Sequence, residues 1–137
     1  MSIEFHVTPA RRLVEIRLRG SDHFEAYLGL IQAIEASPGY GEHFDALVDL
    51  RALELDDIAT NDVKGLAGVH REHAGPVPSR WALVTGEDAV FGVVRMFEAF
   101  MGDSPREFRA FRSLADGLAW LGLAPGDLAL VELDATR

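Results

Sequence analysis

The sequence contains no cysteine. Disulfide bonds, thiol catalysis and cysteine-bound zinc are therefore excluded, and the absence fits a reducing compartment. No apolar run approaches the roughly 18 residues that a membrane-spanning helix needs, and residues 1–12 lack the apolar core of a signal peptide. We therefore expect a cytoplasmic protein with no integral membrane segment.

Positive charge is scarce as well. The chain has 13 lysine and arginine residues against 22 aspartate and glutamate residues, a formal net charge of −9. Such a charge repels nucleic-acid phosphates and anionic lipid surfaces, so we expect no nucleic-acid partner. At 137 residues the chain is long enough for one buried core, and we interpret 1–137 as a single domain.

The first 20 residues carry the period-two pattern of strands. Residues 2–8 and 11–19 alternate between apolar and polar side chains, which predicts an opening β-hairpin. One side of the second strand is polar and is expected to face solvent. That side consists of Arg11, Glu15, Arg17 and Arg19.

The rest of the chain alternates between helix and strand patterns. Strands are predicted at 44–50, 81–84 and 107–112, and helices after Ser21, within 57–73, from Thr85 to Gly102 and from Ser113 to Gly122. Thr85 with Asp88, and Ser113 with Asp116, have capping-box spacing. The order β-β-α-β-α-β-α-β-α predicts an α/β fold with a mixed sheet and right-handed crossovers. Residues 128–133 are a candidate for one further short strand.

Several short segments together carry a family resemblance. They are Leu47-Val48-Asp49-Leu50-Arg51, Ala82-Leu83-Val84, Phe91-Gly92, Arg95-Met96-Phe97-Glu98-Ala99-Phe100, Phe111-Arg112 and Ala119-Trp120-Leu121. In order and spacing they resemble the SpoIIAA-like family of small bacterial proteins, which is related to STAS domains (sulfate transporters and anti-sigma-factor antagonists) and to CRAL-TRIO lipid-transfer folds. The resemblance covers residues 3–122 and leaves 123–137 as a tail. It implies one STAS-like domain with a five-stranded mixed sheet and about four helices, no enzyme activity and no settled ligand.

The loop after the predicted central strand departs from the family pattern. Antagonist-type STAS domains carry a phosphorylatable serine just after an aspartate, at the start of the next helix. Here no serine is present, Thr60 is the nearest hydroxyl, and Asp57 stands at the switch position as a fixed charge. Asp49, Asp56 and Asp57 could also hold Mg²⁺ at the carboxyl edge of a strand. We favour the structural alternative, in which they cap the next helix and bond loop amides.

The sequence offers no strong metal or catalytic motif. His70 and His73 are three residues apart, not four as in the zinc-protease helix, and at the end of a helix they also complement its dipole. No serine lies in a Gly-x-Ser-x-Gly elbow, and no acid–base pair follows from spacing. We therefore predict no metal, no cofactor and no catalytic residue.

Three arginines recur at every third position of the last predicted strand. Because side chains alternate along a strand, Arg106 and Arg112 share one face and Arg109 lies on the other. The basic patch is therefore split, and we interpret it as solvated edge-strand charge that blocks unwanted pairing.

The long helix at 85–102 is apolar on more than one side. At 100° per residue, the side that packs on the sheet consists of Val90, Val93, Val94, Phe97 and Met101. A second side offers an aromatic, a flexible methionine and two small residues at which another backbone can approach. We therefore take Phe91, Gly92, Arg95, Met96 and Ala99 as a candidate ligand or subunit surface. A neighbouring helix of the same domain is the alternative explanation.

These features predict a non-enzymatic STAS-like regulatory or protein-interaction domain that self-associates as a homodimer. The alternative is a carrier of a small apolar or amphipathic, lipid-like ligand in a pocket lined by the long helix. An enzyme is the weakest hypothesis, because it requires Asp49, Asp56 and Asp57 to converge on a pocket.

Overall fold

The chain forms the predicted alternation of strands and helices. The computed structural model describes residues 2–21, 24–41, 43–54, 60–73 and 79–133. Within them lie β1 (Ser2–Thr8), β2 (Leu13–Ser21), α1 (Phe24–Glu35), β3 (Asp45–Glu54), α2 (Thr60–His73), β4 (Ser79–Thr85), α3 (Asp88–Phe100), β5 (Arg106–Phe111) and α4 (Leu114–Leu121). Short 3-10 turns lie at Pro9–Arg11 and Pro125–Asp127. No helix in these ranges combines the length and hydrophobicity needed to cross a membrane.

All five strands belong to one mixed sheet in the order β1-β2-β3-β4-β5. β1 runs antiparallel to β2, and each later neighbour pair is parallel. A short turn suffices for the antiparallel return, whereas the parallel pairs need the helical crossovers. The carboxyl ends of β2, β3 and β4 consequently lie along one edge of the sheet.

The inner face of the sheet packs against α1, α2 and α3. Side chains of this larger core include Ile16, Val48 and Leu83 from the sheet, and Ile31, Val63, Val90 and Phe97 from the helices. Each of them is less than 9% exposed. Burying one such side chain stabilises the fold by about 1.5–3 kcal/mol, so this layer provides most of the hydrophobic stabilisation.

The outer face of the sheet is covered by α4 and by the segment after it. α4 begins and ends as predicted: the Ser113 side chain accepts a hydrogen bond from the Asp116 amide at 3.2 Å, and Gly122 adopts a left-handed conformation with φ 72°. A side chain at Gly117 would come within 3.1 Å of Val84, so this glycine lets α4 approach β4 closely. Val131 completes the smaller outer cluster.

The predicted capping box of Thr85 and Asp88 is wrong. Thr85 is the last residue of β4 and is 1% exposed, and its hydroxyl donates to the Phe111 carbonyl of β5 at 3.1 Å. The residue before α3 is Glu87, which makes no side-chain cap. A buried hydroxyl needs a partner in the core, and this requirement overrides the local capping pattern.

The predicted solvated side of β2 is wrong too. Glu15 is 0% exposed and Arg17 is 8% exposed, because the C-terminal segment lies over them. The candidate strand at 128–133 is absent from this described stretch. Its amides at 129–131 donate to the Glu15 carboxylate, so no neighbouring strand receives them.

Candidate functional site

An apolar cavity of about 80 Å³ lies between the inner face of the sheet and the three helices that cover it. Its walls include Leu18, Leu50 and Leu53 from β2 and β3, Val63 and Leu66 from α2, and Val93 from α3. Apart from Tyr27 of α1, every described side chain that lines it is Leu, Val or Phe. The cavity can therefore hold an apolar group next to one phenolic hydroxyl.

The cavity lies toward the carboxyl ends of the parallel strands. Leu50 and Leu53 lie in the second half of β3, toward its carboxyl end, and Val63 and Val90 lie near the starts of α2 and α3. Open α/β sheets bind their ligands at this edge. The rim of the cavity consists of its half-buried lining residues Tyr27, Leu66 and Val93, so the cavity extends toward the surface.

A buried polar cluster adjoins the cavity through Tyr27. The His70 side chain is 0% exposed, and its Nε2 lies 2.6 Å from the Tyr27 hydroxyl. Its Nδ1 lies 2.9 Å from Nη1 of Arg106, which is itself 6% exposed. Trp81 and Phe108 pack against the imidazole in T-shaped arrangements, at centroid distances of 4.9 and 4.8 Å. The imidazole is therefore enclosed by aromatic rings and bonded at both nitrogens.

The hydrogen bonds assign the tautomer of His70. A guanidinium only donates, so Nδ1 accepts from Arg106, and Nε2 carries the proton that it donates to the Tyr27 oxygen. Burial, followed by the nearby charges of Arg106 and His73, holds the pKa of His70 well below its ordinary value. The imidazole is consequently neutral near pH 7, and the cluster adds only the Arg106 charge to the core.

Both histidines of the predicted helix end have roles that the sequence did not suggest. His70 faces the core, so the dipole interpretation is wrong for it, whereas His73 pairs with Glu35 at 2.6 Å. No group of three or more potential metal ligands occurs in the described ranges. The periodicity contained a signal for this burial, because His70 continues the stripe of Val63 and Ala67 along α2.

The arginines of β5 differ from the predicted solvated edge. Arg106 turns inward, and its guanidinium lies 4.6 Å from the Trp81 ring centroid. Arg109 lies over Trp120 on the outer face at 5.3 Å. The split between two faces is present, but one of the three charges belongs to the core because His70 and Trp81 surround it.

The candidate surface on α3 is only partly free. Met96 is 38% exposed, Arg95 and Ala99 are exposed, and a side chain added at Gly92 would meet no atom within 4 Å. Phe91 is half-buried instead, with the Arg112 guanidinium 4.0 Å from its ring centroid. The first four residues therefore form an exposed strip, and Phe91 is covered by its own chain.

Asp49, the acidic candidate that the structure describes, does not line the cavity. Asp49 is 2% exposed on the outer face, and its carboxylate accepts hydrogen bonds from the Arg51 amide at 3.0 Å and guanidinium at 2.9 and 3.1 Å. The sheet therefore separates it from the inner cavity. Asp56, Asp57 and the side chain of Thr60 lie outside the described part of the chain. The structural alternative predicted bonds to loop amides, whereas the amide that donates to Asp49 belongs to Arg51 within β3.

Comparison with known proteins identifies the fold. Neither the protein-family profiles nor the curated proteins give a match. The solved structure of an uncharacterized protein from Shewanella loihica, of the DUF3478 family with a SpoIIAA-like fold, is similar with a TM-score of 0.53 and 21% identity. The alignment covers 88% of this chain and 92% of that chain. The predicted SpoIIAA-like fold is confirmed, and function has to be argued from the site because one fold serves many functions.

Proposed function

We propose that this chain is a non-enzymatic binding domain that holds a small apolar or amphipathic ligand in the inner cavity. The observation that carries the proposal is the aliphatic lining at the carboxyl edge of the sheet, with the Tyr27 hydroxyl as its polar atom. Binding pockets for small molecules are mostly apolar, with a few placed polar groups that set orientation.

The volume of the cavity limits the bound group. A dry apolar cavity of about 150 Å³ holds benzene, and the cavity here measures about 80 Å³. A short aliphatic chain or the end of an acyl chain suits this space, while the rest of the ligand extends past the half-buried rim. Burial of each methylene contributes about 0.8 kcal/mol.

The polar atoms near the cavity support binding rather than catalysis. The described walls carry no carboxylate, amine or imidazole. His70 lies behind Tyr27 with both nitrogens bonded, so it has no free lone pair for a general base. Asp49, the acidic candidate that the structure describes, lies on the opposite face of the sheet.

Ligand binding can be tested with native mass spectrometry and thermal unfolding. We expect a co-purified adduct, or stabilisation by one of a series of straight-chain carboxylic acids and alcohols with four to twelve carbons. At about 100 times its Kd, a ligand raises the unfolding free energy by about 2.7 kcal/mol. Val93→Phe fills the cavity from its half-buried rim and should abolish this stabilisation.

The matched control is Ala89→Leu, an exposed position in the first turn of the same helix. It should leave the response to ligand unchanged. An adduct-free mass together with no stabilisation by any compound would refute the proposal. Stabilisation that survives Val93→Phe would place the ligand elsewhere.

Self-association through α3 is a second candidate, because Met96 is an exposed large apolar side chain beside Gly92 and Ala99. We expect a homodimer at about 100 µM in size-exclusion chromatography with light scattering, a concentration at which micromolar contacts are occupied. Met96→Asp should give a monomer, and Ala119→Asp, at an exposed position of α4, should not. A wild-type monomer at this concentration would contradict the helix-mediated dimer.

A further inference from the structure

Four charged side chains form a trough on the outer face of the sheet. Glu15 and Arg17 of β2 are 0% and 8% exposed, Asp49 of β3 is 2% exposed, and Arg51 is half-buried. The parallel register sets Arg17 opposite Asp49. Charges buried this deeply are tolerated only when they are paired or hydrogen-bonded.

The strap, residues 129–133, supplies many of these partners with its main chain. Glu15 Oε2 accepts from the Ala129 amide at 2.8 Å, and Oε1 accepts from the amides at 130 and 131 at 2.9 Å each. Arg51 donates to the carbonyl oxygens of Glu132 at 2.5 Å and of Leu133 at 3.1 Å. Because backbone atoms make these bonds, they recognise a bent main chain with three successive amides turned toward one carboxylate, irrespective of its side chains.

Two strap side chains add a sequence preference. Val131 is 5% exposed and belongs to the outer apolar cluster. The next residue, Glu132, has its carboxylate 3.9 Å from Nη1 of Arg17, and this buried Nη1 has no hydrogen-bond partner in the described structure. A carboxylate at this position that came within hydrogen-bond distance would satisfy it. The preferred order is therefore an aliphatic residue followed by an acidic one.

We propose that the trough is a peptide-binding site that the strap closes from within the same chain. Its ligand is a short segment of a partner protein that adopts the same bent main chain and has an aliphatic residue followed by an acidic residue. The site is separate from the inner cavity, because the sheet lies between them. A tethered strap competes at an effective concentration of about millimolar, so a partner binds only when the strap is released.

The strap has the features of a segment that opens on its own. Val131 is its one buried side chain, while Ala129, Glu132 and Leu133 are exposed. Its hydrogen bonds go to charged groups that water can solvate once the strap leaves, so release strands no buried charge. Regions with few buried apolar contacts open with free energies below that of global unfolding.

Hydrogen exchange on the native chain tests this opening directly. Amides 129–131 should exchange at least about ten-fold faster than those of Val48 and Leu83 in the central strands. Equal protection would mean that the strap opens only when the whole protein unfolds, and this would overturn the proposal.

Peptide binding to full-length variants tests the site. The probe is a labelled, acetylated and amidated heptapeptide with the sequence of residues 127–133. Leu130→Pro removes the amide that donates a hydrogen bond to Glu15, and it should release the strap. The matched control is Leu133→Pro, which keeps the carbonyl oxygen that Arg51 contacts. The peptide should bind Leu130→Pro at least about ten-fold more tightly than it binds wild type or the control.

Two further comparisons examine the recognition. Adding Glu15→Gln to Leu130→Pro should weaken peptide binding by about ten-fold or more, the usual effect of losing a charge-assisted hydrogen bond. A probe with aspartate in place of the Val131 residue should not bind. A folded Leu130→Pro protein that ignores the probe, or binds the aspartate probe equally well, would show that the trough only closes the fold. If Leu130→Pro does not fold, the hydrogen-exchange measurement on the native chain alone decides whether the strap opens.

Discussion

Replacing Glu15 with glutamine should lower the unfolding free energy by about 2–3 kcal/mol. In the native protein the two carboxylate oxygens accept three amides of the strap at 2.8–2.9 Å, inside a fully buried site. Glutamine keeps one acceptor oxygen and presents an NH₂ group to a donor. At least one strap amide then loses its partner, which costs about 1–3 kcal/mol.

The remaining bonds also weaken because they lose the charge. A hydrogen bond to a charged group contributes about 1.5–3 kcal/mol, against about 0.5–1.5 kcal/mol for a neutral pair. The lower cost of burying an amide instead of a carboxylate offsets part of this loss. Release of the strap sets an upper limit on the loss of unfolding free energy, because water then solvates the amides that no longer bond to residue 15.

Urea denaturation followed by far-ultraviolet circular dichroism measures the effect. With a slope of about 1–3 kcal/mol per molar urea, the midpoint should fall by about 0.7–3 M. The control is Glu132→Gln, whose side chain is 67% exposed and lies 3.9 Å from Arg17. It should change stability by no more than about 0.5 kcal/mol. Wild-type midpoints for both variants, or equal losses in both, would refute the role assigned to Glu15.

Three further predictions follow from buried groups and close contacts. Burial holds the pKa of His70 low, so the folded protein resists its protonation. The contribution of neutral His70 to the unfolding free energy should be complete above about pH 6.5 and fall by up to about 1.4 kcal/mol per pH unit below it. The same pH dependence in His70→Gln as in wild type would contradict this. Tyr27→Phe should cost about 1–3 kcal/mol in the same denaturation assay, because it removes the acceptor of the His70 Nε2 proton; no change would contradict a stabilising Tyr27–His70 hydrogen bond. Gly86→Ala should cost about 1–3 kcal/mol because its new Cβ would lie 2.7 Å from the Arg51 carbonyl oxygen, whereas Gly29→Ala, in open space on α1, should stabilise by about 0.5–1 kcal/mol; equal melting temperatures would count against this packing.

Much of the fold follows from local patterns in the sequence. Apolar residues at period two and at helical spacing predict the order of all described strands and helices, because each element must turn one apolar side to the core. Ser113 and Gly122 bound α4 through contacts within a few residues. Local patterns of this kind need no knowledge of distant partners.

The cavity was predicted in kind but not in composition. A pocket lined by the long helix was the stated alternative, and Val93 and Phe97 of α3 do line the cavity. The candidate residues chosen on the other side of that helix do not line it. A helical wheel separates the sides of a helix, but it does not reveal which side leaves space beside the sheet.

The charged groups mark the limit of sequence reasoning. By itself, the sequence determined the α/β order, the mixed sheet and the acidic balance, because periodicity and composition are local or additive. Only the tertiary structure decided that Glu15, Arg17 and Arg106 are buried. Their partners are distant in the sequence. The strap amides that donate hydrogen bonds to Glu15 lie 114 to 116 residues away, and Arg106 lies 36 residues from His70. A charged side chain is buried only where the fold supplies partners that replace its bonds to water. Local sequence patterns do not specify such partners when they are distant in the chain.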